Sequence, residues 1–130
     1  QHCENAEKVK NFLLKHSKVE KVIYSTLHTG EIGERAKRYL KGGNGALMGI
    51  ELKGGFEAGK KFIDSLKMLY HVANIGDARS LAIHPASTTH SQLNAKDMAA
   101  AGVTPGYVRL SIGIEHADDI IADLDQALNA

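Results

Sequence analysis

The sequence predicts an α+β fold in which an antiparallel-containing sheet carries helices packed on one face. The chain has 130 residues, of which 43% are hydrophobic and 24% charged, as is usual for one globular domain. Some segments repeat apolar side chains at helical spacing, and others are short and β-branched or alternate with period two. These segments interleave along the chain, and the sheet they form can be antiparallel, which favours helices on one face.

The first third of the chain predicts two helices separated by a strand. Apolar side chains and one histidine recur at helical spacing up to about Ser17, at Ala6, Val9, Phe12, Leu13 and His16. Residues 19–24 are rich in β-branched side chains and favour a strand, and a second helix follows over residues 32–40. Three glycines within residues 42–45 end that helix, because glycine makes helix continuation costly.

The middle of the chain predicts a buried strand followed by a well-marked helix. Residues 46–52 are mostly apolar, as in a buried strand. The helix after the next two glycines has one apolar face, formed by Phe56, Gly59, Phe62, Ile63, Leu66 and Leu69. Residues 70–73 predict a short strand, whereas residues 74–91 form a long stretch with little periodicity.

The last third predicts a capped helix, a strand and a final helix. Asn94 and Asp97 resemble a helix-capping pair. Residues 107–114 alternate with period two, which places Arg109 on the side opposite four aliphatic residues. The final helix has acidic residues in its first turn, where the helix dipole favours them, and turns four aliphatic residues inward: Ile120, Ile121, Leu124 and Leu128.

Charge and cysteine content exclude several classes of protein. Lys and Arg number 16 against 15 Asp and Glu, so the net charge is +1 and no nucleic-acid partner is expected. The densest basic stretch, residues 34–41, begins with a carboxylate and is typical of the solvated side of a helix. Cys3 is the only cysteine, which excludes an intrachain disulfide and favours a reducing, cytoplasmic location.

The apolar runs and the first residues of the chain bear on membrane association and on whether the sequence is part of a larger protein. No apolar run is long enough for a membrane span, and the start has no signal-peptide pattern, so no membrane partner is expected. The chain begins with Gln1 rather than methionine, already inside a helical pattern. We therefore expect it to be a piece of a larger protein.

Neither the histidines nor the glycine cluster predicts a metal or phosphate site. His84 and His90 are six residues apart, which fits no helical or short-loop pair of metal ligands. The glycines of residues 42–45 precede a strand, whereas a phosphate-binding loop follows a strand and precedes a helix. We expect a turn there and no metal in this chain.

Two features leave a functional and a structural interpretation open. Residues 76–90 form a long polar stretch that is rich in small hydroxyl side chains, which suits either the wall of a ligand site or a structural loop. Arg109 lies in the middle of a strand. Its side chain either lies at the sheet surface or directs its guanidinium toward a planar anion such as a carboxylate.

The same segments carry a family resemblance. Residues 74–90, NIGDARSLAIHPASTTH, and residues 108–115, VRLSIGIE, resemble the C-terminal domain of the Cys/Met-metabolism family of pyridoxal-phosphate enzymes. The resemblance runs from end to end, so it implies one domain over residues 1–130, the small domain of a fold-type I enzyme. Within the family the chain is most similar to the O-acetylhomoserine sulfhydrylases, which share the Lys53-Gly54-Gly55 turn.

The resemblance implies which residues touch the substrate. Arg109 occupies the place of the arginine that pairs with the substrate α-carboxylate, and the polar residue at the position of Asn74 assists the same carboxylate. Asparagine there favours a sulfhydrylase, whereas lyases and cystathionine synthases usually have serine. Ile83, Thr88 and Thr89 would form the wall of the active-site mouth.

The resemblance also implies what this chain does not supply. In the family the lysine that binds pyridoxal phosphate lies in a large domain, so no catalytic or cofactor-binding residue is expected here. The parent enzyme would be a homotetramer that converts O-acetyl-L-homoserine and sulfide into homocysteine and acetate. A methionine γ-lyase, a cystathionine γ-synthase and a non-catalytic binding module stay as alternatives.

Overall fold

The computed structural model describes residues 1–130 and contains five helices and five strands. The helices are α1 (His2–Leu13), α2 (Gly30–Tyr39), α3 (Gly55–Ser65), α4 (Ala95–Ala100) and α5 (Ala117–Leu128). The strands are β1 (Val19–Ile23), β2 (Leu47–Leu52), β3 (Tyr70–His71), β4 (Leu81–Ile83) and β5 (Tyr107–Ser111). Two single 3₁₀ turns, Ser25–Leu27 and Pro85–Ser87, follow β1 and β4.

The strands form one mixed sheet in the order β1-β2-β5-β4-β3. All neighbouring pairs are antiparallel except β3 and β4, which are parallel. Helices α1, α3 and α5 cover one face of this sheet, α1 and α3 both packing against α5. The prediction of an α+β domain with helices on one face is confirmed.

The core lies between the sheet and these three helices. In β5 the predicted alternation is present as far as Ile112: Val108, Leu110 and Ile112 are fully buried toward the helices, and Arg109 points to the opposite, open face. The prediction is wrong for Ile114, which is 51% exposed because β5 ends at Ser111. All three helices and three strands contribute side chains to the core, among them Val9, Leu13, Val22, Met48, Ile50, Phe62, Ile63, Leu110, Ile120 and Leu124. Burial of this continuous apolar cluster supplies the main driving force for folding.

Helix α2 takes no part in this core. Only Gly33 of its residues is buried, and its surface carries the ion pairs of Glu31 with Arg35 and of Glu34 with Lys37. The predicted solvated basic helix is therefore confirmed. No helix combines the length and the apolar character that crossing a bilayer requires.

Several element bounds differ from the predictions, and hydrogen bonds explain the earlier ends of α1 and α3. α1 ends at Leu13 rather than near Ser17, because Lys15 and His16 donate tight-turn hydrogen bonds to Phe12 and Leu13. α3 ends at Ser65, because the Leu66 amide makes a tight-turn bond to Ile63 and the amides of residues 67–69 bond the Asp123 carboxylate. The stretch of little periodicity over residues 74–91 contains β4, whose three residues are too few to show a period.

Candidate functional site

Arg109 lies half-buried on the open face of the sheet, between two cross-strand neighbours. Its partners in the register are Gly49 of β2 and Ile83 of β4. The guanidinium Nη2 donates a hydrogen bond of 2.7 Å to the Ala73 carbonyl and a longer one of 3.4 Å to the Asn74 carbonyl. Arg109 therefore connects the centre of the sheet to the loop that follows β3.

The guanidinium keeps most of its binding capacity unused. No carboxylate of the chain forms an ion pair with Arg109. Its Nε and Nη1 groups donate to no group of the protein. A guanidinium offers five N–H donors in a rigid fork that matches the two oxygens of a carboxylate. No acidic side chain of the chain therefore occupies the guanidinium, and its free donors suit an external planar anion.

Tyr107 and Gly49 shape the surface beside Arg109. A Cβ atom at Gly49 would lie 2.4 Å from Tyr107 Cε2, so the tyrosine ring packs directly over the glycine backbone. Burial raises the pKa of Tyr107, the Arg109 charge lowers it and the Glu51 charge raises it. The sequence analysis did not select these residues, although the period-two alternation that places Tyr107 on the Arg109 side was a usable signal.

Asn74 approaches Arg109 through its backbone. Its carbonyl is a second acceptor for Arg109, while its exposed side chain makes no hydrogen bond within the protein. The side-chain amide of Asn74 is thus unoccupied within the chain. The role predicted for this side chain stays a prediction.

The loop that carries Asn74 is stiffened by a local ion pair. The Asp77 carboxylate accepts hydrogen bonds from Arg79 Nε at 3.2 Å and Nη2 at 3.1 Å. Hydrogen bonds from the Arg79 side chain and backbone hold the pKa of Asp77 below its usual value. The Arg79 guanidinium also lies 4.6 Å from the centre of the Tyr70 ring, which ties the loop to β3.

The three predicted wall residues differ in their surroundings. Ile83 is buried and lies beside Arg109, its partner in the register of β4 and β5. Thr88 is half-buried and donates its hydroxyl hydrogen bond to the His84 carbonyl at 2.8 Å. Thr89 is exposed, and its hydroxyl bonds the His90 ring. Neither threonine side chain contacts Arg109 by a hydrogen bond, so only Ile83 is brought directly to it.

His84 is a structural residue of this loop. It is fully buried, with Nδ1 at 2.8 Å from the Ser87 hydroxyl and Nε2 at 2.6 Å from the Pro105 carbonyl. Because both ring nitrogens have partners, neither is free to bind a metal. No group of three metal-ligating side chains occurs in the chain.

The lysines of the chain do not fit the covalent binding of an aldehyde cofactor. Such a lysine must present its amine in an enclosed site. Every lysine is exposed except Lys10, whose side chain is 12% exposed and whose ammonium is paired with Glu7. The buried carboxylate of Asp123 is occupied by backbone amides and does not face a ligand. No lysine with an enclosed and unpaired amine thus occurs in this chain.

The chain matches one family model and individual relatives with names that fit that family. Residues 1–129 match the sequence pattern of the Cys/Met metabolism PLP-dependent enzymes. The chain is 56% identical to the O-acetyl-L-homoserine sulfhydrylase of Leptospira meyeri over 98% of its own length and 29% of that protein. It is 50% identical to the L-methionine gamma-lyase of Fusobacterium nucleatum subsp. polymorphum, over 98% of its length and 32% of that protein.

A solved structure has the same fold. The chain superposes with a TM-score of 0.88 and 43% identity on a Campylobacter jejuni protein assigned as an O-acetylhomoserine (thiol)-lyase, which carries N'-pyridoxyl-lysine-5'-monophosphate. The match covers 99% of this chain and 31% of that one. The chain thus spans about a third of the length of the relatives it matches, and matches them over nearly all of its own. It belongs to the Cys/Met metabolism family of pyridoxal-phosphate-dependent enzymes.

Proposed function

We propose that this chain is the small C-terminal domain of an O-acetylhomoserine sulfhydrylase and that Arg109 binds the α-carboxylate of the amino-acid substrate. The observation that carries the proposal is the unpaired guanidinium of Arg109, anchored through Nη2 alone. A bidentate pair between a guanidinium and a carboxylate fixes both the position and the plane of the amino acid. Asn74 would contribute its side-chain amide to the same carboxylate.

The surroundings of Arg109 support binding of an amino acid with a short uncharged side chain. The buried Ile83 and the ring of Tyr107 flank the guanidinium on the same face of the sheet. Neither group adds a second charge beside the carboxylate site. An acetylated homoserine has no charge beyond its α-carboxylate and α-amine, so it matches a site with one fixed cation.

The proposed reaction of the full-length protein joins O-acetyl-L-homoserine and sulfide to give homocysteine and acetate. Pyridoxal phosphate, when bound, withdraws electrons from the substrate amino acid. We assign its attachment to the large domain of the full-length protein, since the lysines present here do not fit that role. We infer that this protein is a cytoplasmic homotetramer, in keeping with its family resemblance and its single cysteine.

A methionine γ-lyase is the second candidate. The 50% identity to the Fusobacterium lyase favours it almost as strongly as a sulfhydrylase. Asn74 supports the sulfhydrylase, because the resemblance associates serine at this place with lyases. Incubating the full-length enzyme with O-acetylhomoserine plus sulfide, and separately with methionine, decides between the two by the product formed. Homocysteine from the first mixture is expected, and methanethiol from the second with no homocysteine from the first would contradict the proposal.

Replacing Arg109 tests the carboxylate site directly. In the full-length enzyme Arg109→Ala should raise KM for O-acetylhomoserine at least about 100-fold, because two charge-assisted hydrogen bonds are lost. Arg109→Lys should recover only part of this loss, since an ammonium cannot form the bidentate pair. Arg35→Ala is the matched control, as Arg35 is exposed on α2 and pairs only with Glu31. An unchanged KM in Arg109→Ala would refute the role.

A further inference from the structure

We propose that Glu115 is a positioning residue for substrate binding, which holds the loop over residues 72–79 so that Arg109 keeps its orientation. The proposal rests on the proposed function, because it assigns Arg109 to the substrate carboxylate. Glu115 itself does not touch Arg109. It follows β5 in the segment that leads into α5.

Glu115 and Ser80 form a closed hydrogen-bond unit. Glu115 Oε1 accepts the Ser80 backbone amide at 2.6 Å, and Oε2 accepts the Ser80 hydroxyl at 2.8 Å. The Ser80 hydroxyl oxygen in turn accepts the Gly113 amide at 2.9 Å. Ser80 has no exposed surface. Glu115 is half-buried, and hydrogen bonds to a charged acceptor are among the stronger ones in proteins.

Backbone hydrogen bonds of Ser80 hold the two ends of the loop together. Its amide is held by Glu115, and its carbonyl accepts the amide of Tyr70 at 3.1 Å, where β3 begins. The chain between these points is thereby closed into a loop with a defined start and end. The Ala78 carbonyl accepts the Ile114 amide at 2.8 Å, which adds a third fixed point beside Glu115.

The middle of the loop has few other restraints. Residues 72–76 are all exposed. Arg109 Nη2 links them to the rest of the domain through its hydrogen bonds to the Ala73 and Asn74 carbonyls. The amide of Val72 bonds only the carbonyl of Tyr70, two residues earlier. The position of the Ala73 carbonyl therefore depends on how firmly the loop is held at its ends. Loss of the Glu115 contacts would release this end of the loop.

Arg109 needs the Ala73 carbonyl to hold its long side chain in one orientation. Without that acceptor the guanidinium samples several rotamers, and ordering it on the substrate costs free energy. An anchored Nη2 leaves Nε and Nη1 free to bond the ligand. Glu115 thus acts on substrate affinity through Ser80, the loop and Arg109.

The backbone around Glu115 is built to keep its carboxylate in place. A Cβ atom at Gly113 would lie 2.3 Å from the Ala78 carbonyl oxygen and 2.4 Å from Glu115 Oε2, so only glycine fits there. Asn5 Nδ2 donates to the Gly113 carbonyl at 3.1 Å and to the Glu115 carbonyl at 2.7 Å. Helix α1 therefore supports the segment from which Glu115 reaches Ser80.

The test is a mutant cycle in the full-length enzyme. Glu115→Ala should raise KM for O-acetylhomoserine about tenfold, with kcat changed less than about twofold, as expected for an affinity effect near the strength of one charged hydrogen bond. The double variant Arg109→Ala/Glu115→Ala should have the KM of Arg109→Ala alone, because Glu115 acts through Arg109. Glu115→Gln keeps one acceptor for the Ser80 amide and should raise KM only about threefold.

A stability control separates positioning from a general loss of folding. Leu13→Ala removes a fully buried side chain of α1 and should lower Tm at least as much as Glu115→Ala, while KM stays unchanged. If Glu115→Ala does not fold, Glu115→Gln carries the cycle. An Arg109→Ala enzyme with normal KM would refute both the proposed function and this proposal. A raised KM in Arg109→Ala with a normal KM in Glu115→Ala, or additive losses in the double variant, would refute the positioning role alone.

Discussion

Replacing Asp123 by asparagine should destabilise the domain through a single set of backbone contacts. Asp123 of α5 is 6% exposed and accepts the amides of three consecutive residues: Lys67 at 2.9 Å, Met68 at 2.8 Å and Leu69 at 2.9 Å. Gln126 Nε2 donates to the same carboxylate at 3.0 Å. These contacts close the segment between α3 and β3, where the amides have no helical acceptor.

The magnitude follows from how many acceptors an asparagine can replace. Oδ2 of Asp123 serves Met68 and Leu69, whereas Oδ1 serves Lys67 and Gln126. An asparagine has one side-chain oxygen, which can replace either Oδ1 or Oδ2. Its amino group then takes the place of the other oxygen and faces two N–H donors, so two of the four hydrogen bonds are lost. At about 1.5 kcal/mol for each bond to a charged acceptor, the loss in unfolding free energy is about 3 kcal/mol.

The effect should depend on pH in a defined direction. Burial raises the pKa of Asp123, but the amides of Leu69, Lys67 and Met68 outweigh it and hold the pKa below its usual value. With a folded pKa below the unfolded one, the stabilisation is complete above about pH 4 and is lost as the pH falls through the folded value. The difference between wild type and Asp123→Asn should therefore shrink in acid.

Urea unfolding followed by circular dichroism at a series of pH values measures this difference. Asp64→Asn is the matched control, since Asp64 is exposed on α3 and accepts no hydrogen bond. It should change the unfolding free energy by less than about 0.5 kcal/mol. A loss below about 1 kcal/mol for Asp123→Asn, or one that is equal in neutral and acid solution, would refute the reasoning.

Two further changes test the packing of buried rings. Gly59→Ala would place a Cβ atom 2.5 Å from Nε2 of the buried His84, so thermal unfolding should show a loss of about 1–3 kcal/mol. Gly42→Ala, with open space around it, should show no loss, and equal Tm values for the two variants would contradict this account. Burial raises the pKa of Tyr24 to about 12, so the stability that its neutral phenol supplies is complete below about pH 10 and is lost as the pH rises through 12. An ultraviolet titration should show a late phase that Tyr24→Phe removes, and ionisation of every tyrosine near pH 10 would disprove it.

Local patterns predicted the parts of the fold that repeat along the chain. The period of two in β5 placed Arg109 on the face opposite Val108 and Leu110, and the structure has this arrangement. The cap formed by Asn94 is also present, its side chain accepting the Asp97 amide at 2.9 Å. Both signals lie within a few residues, so the sequence order alone reveals them.

Contacts between distant residues could not be predicted in this way. The acceptor of Arg109 lies 36 positions earlier in the chain, and the Ser80–Glu115 pair spans 35 positions. The Asp123 cap joins residues 54 to 56 positions apart. No local rule relates such pairs, because the fold brings them together only after the sheet is assembled. The contacts that hold Arg109 and its loop in place are therefore found in the structure and not in the sequence pattern.

The packing of α1 against α5 has a consequence for biosynthesis. Asn5 bonds the carbonyl of Glu115, 110 positions later, and Ala6, Val9 and Leu13 are buried in the core that includes α5. At about 5–20 residues per second, a ribosome needs roughly 5–20 s to make the intervening chain. During that interval the apolar side of α1 lacks its final cover. A nascent chain paused before α5 should therefore be a substrate for chaperones, and release of α5 should end that dependence.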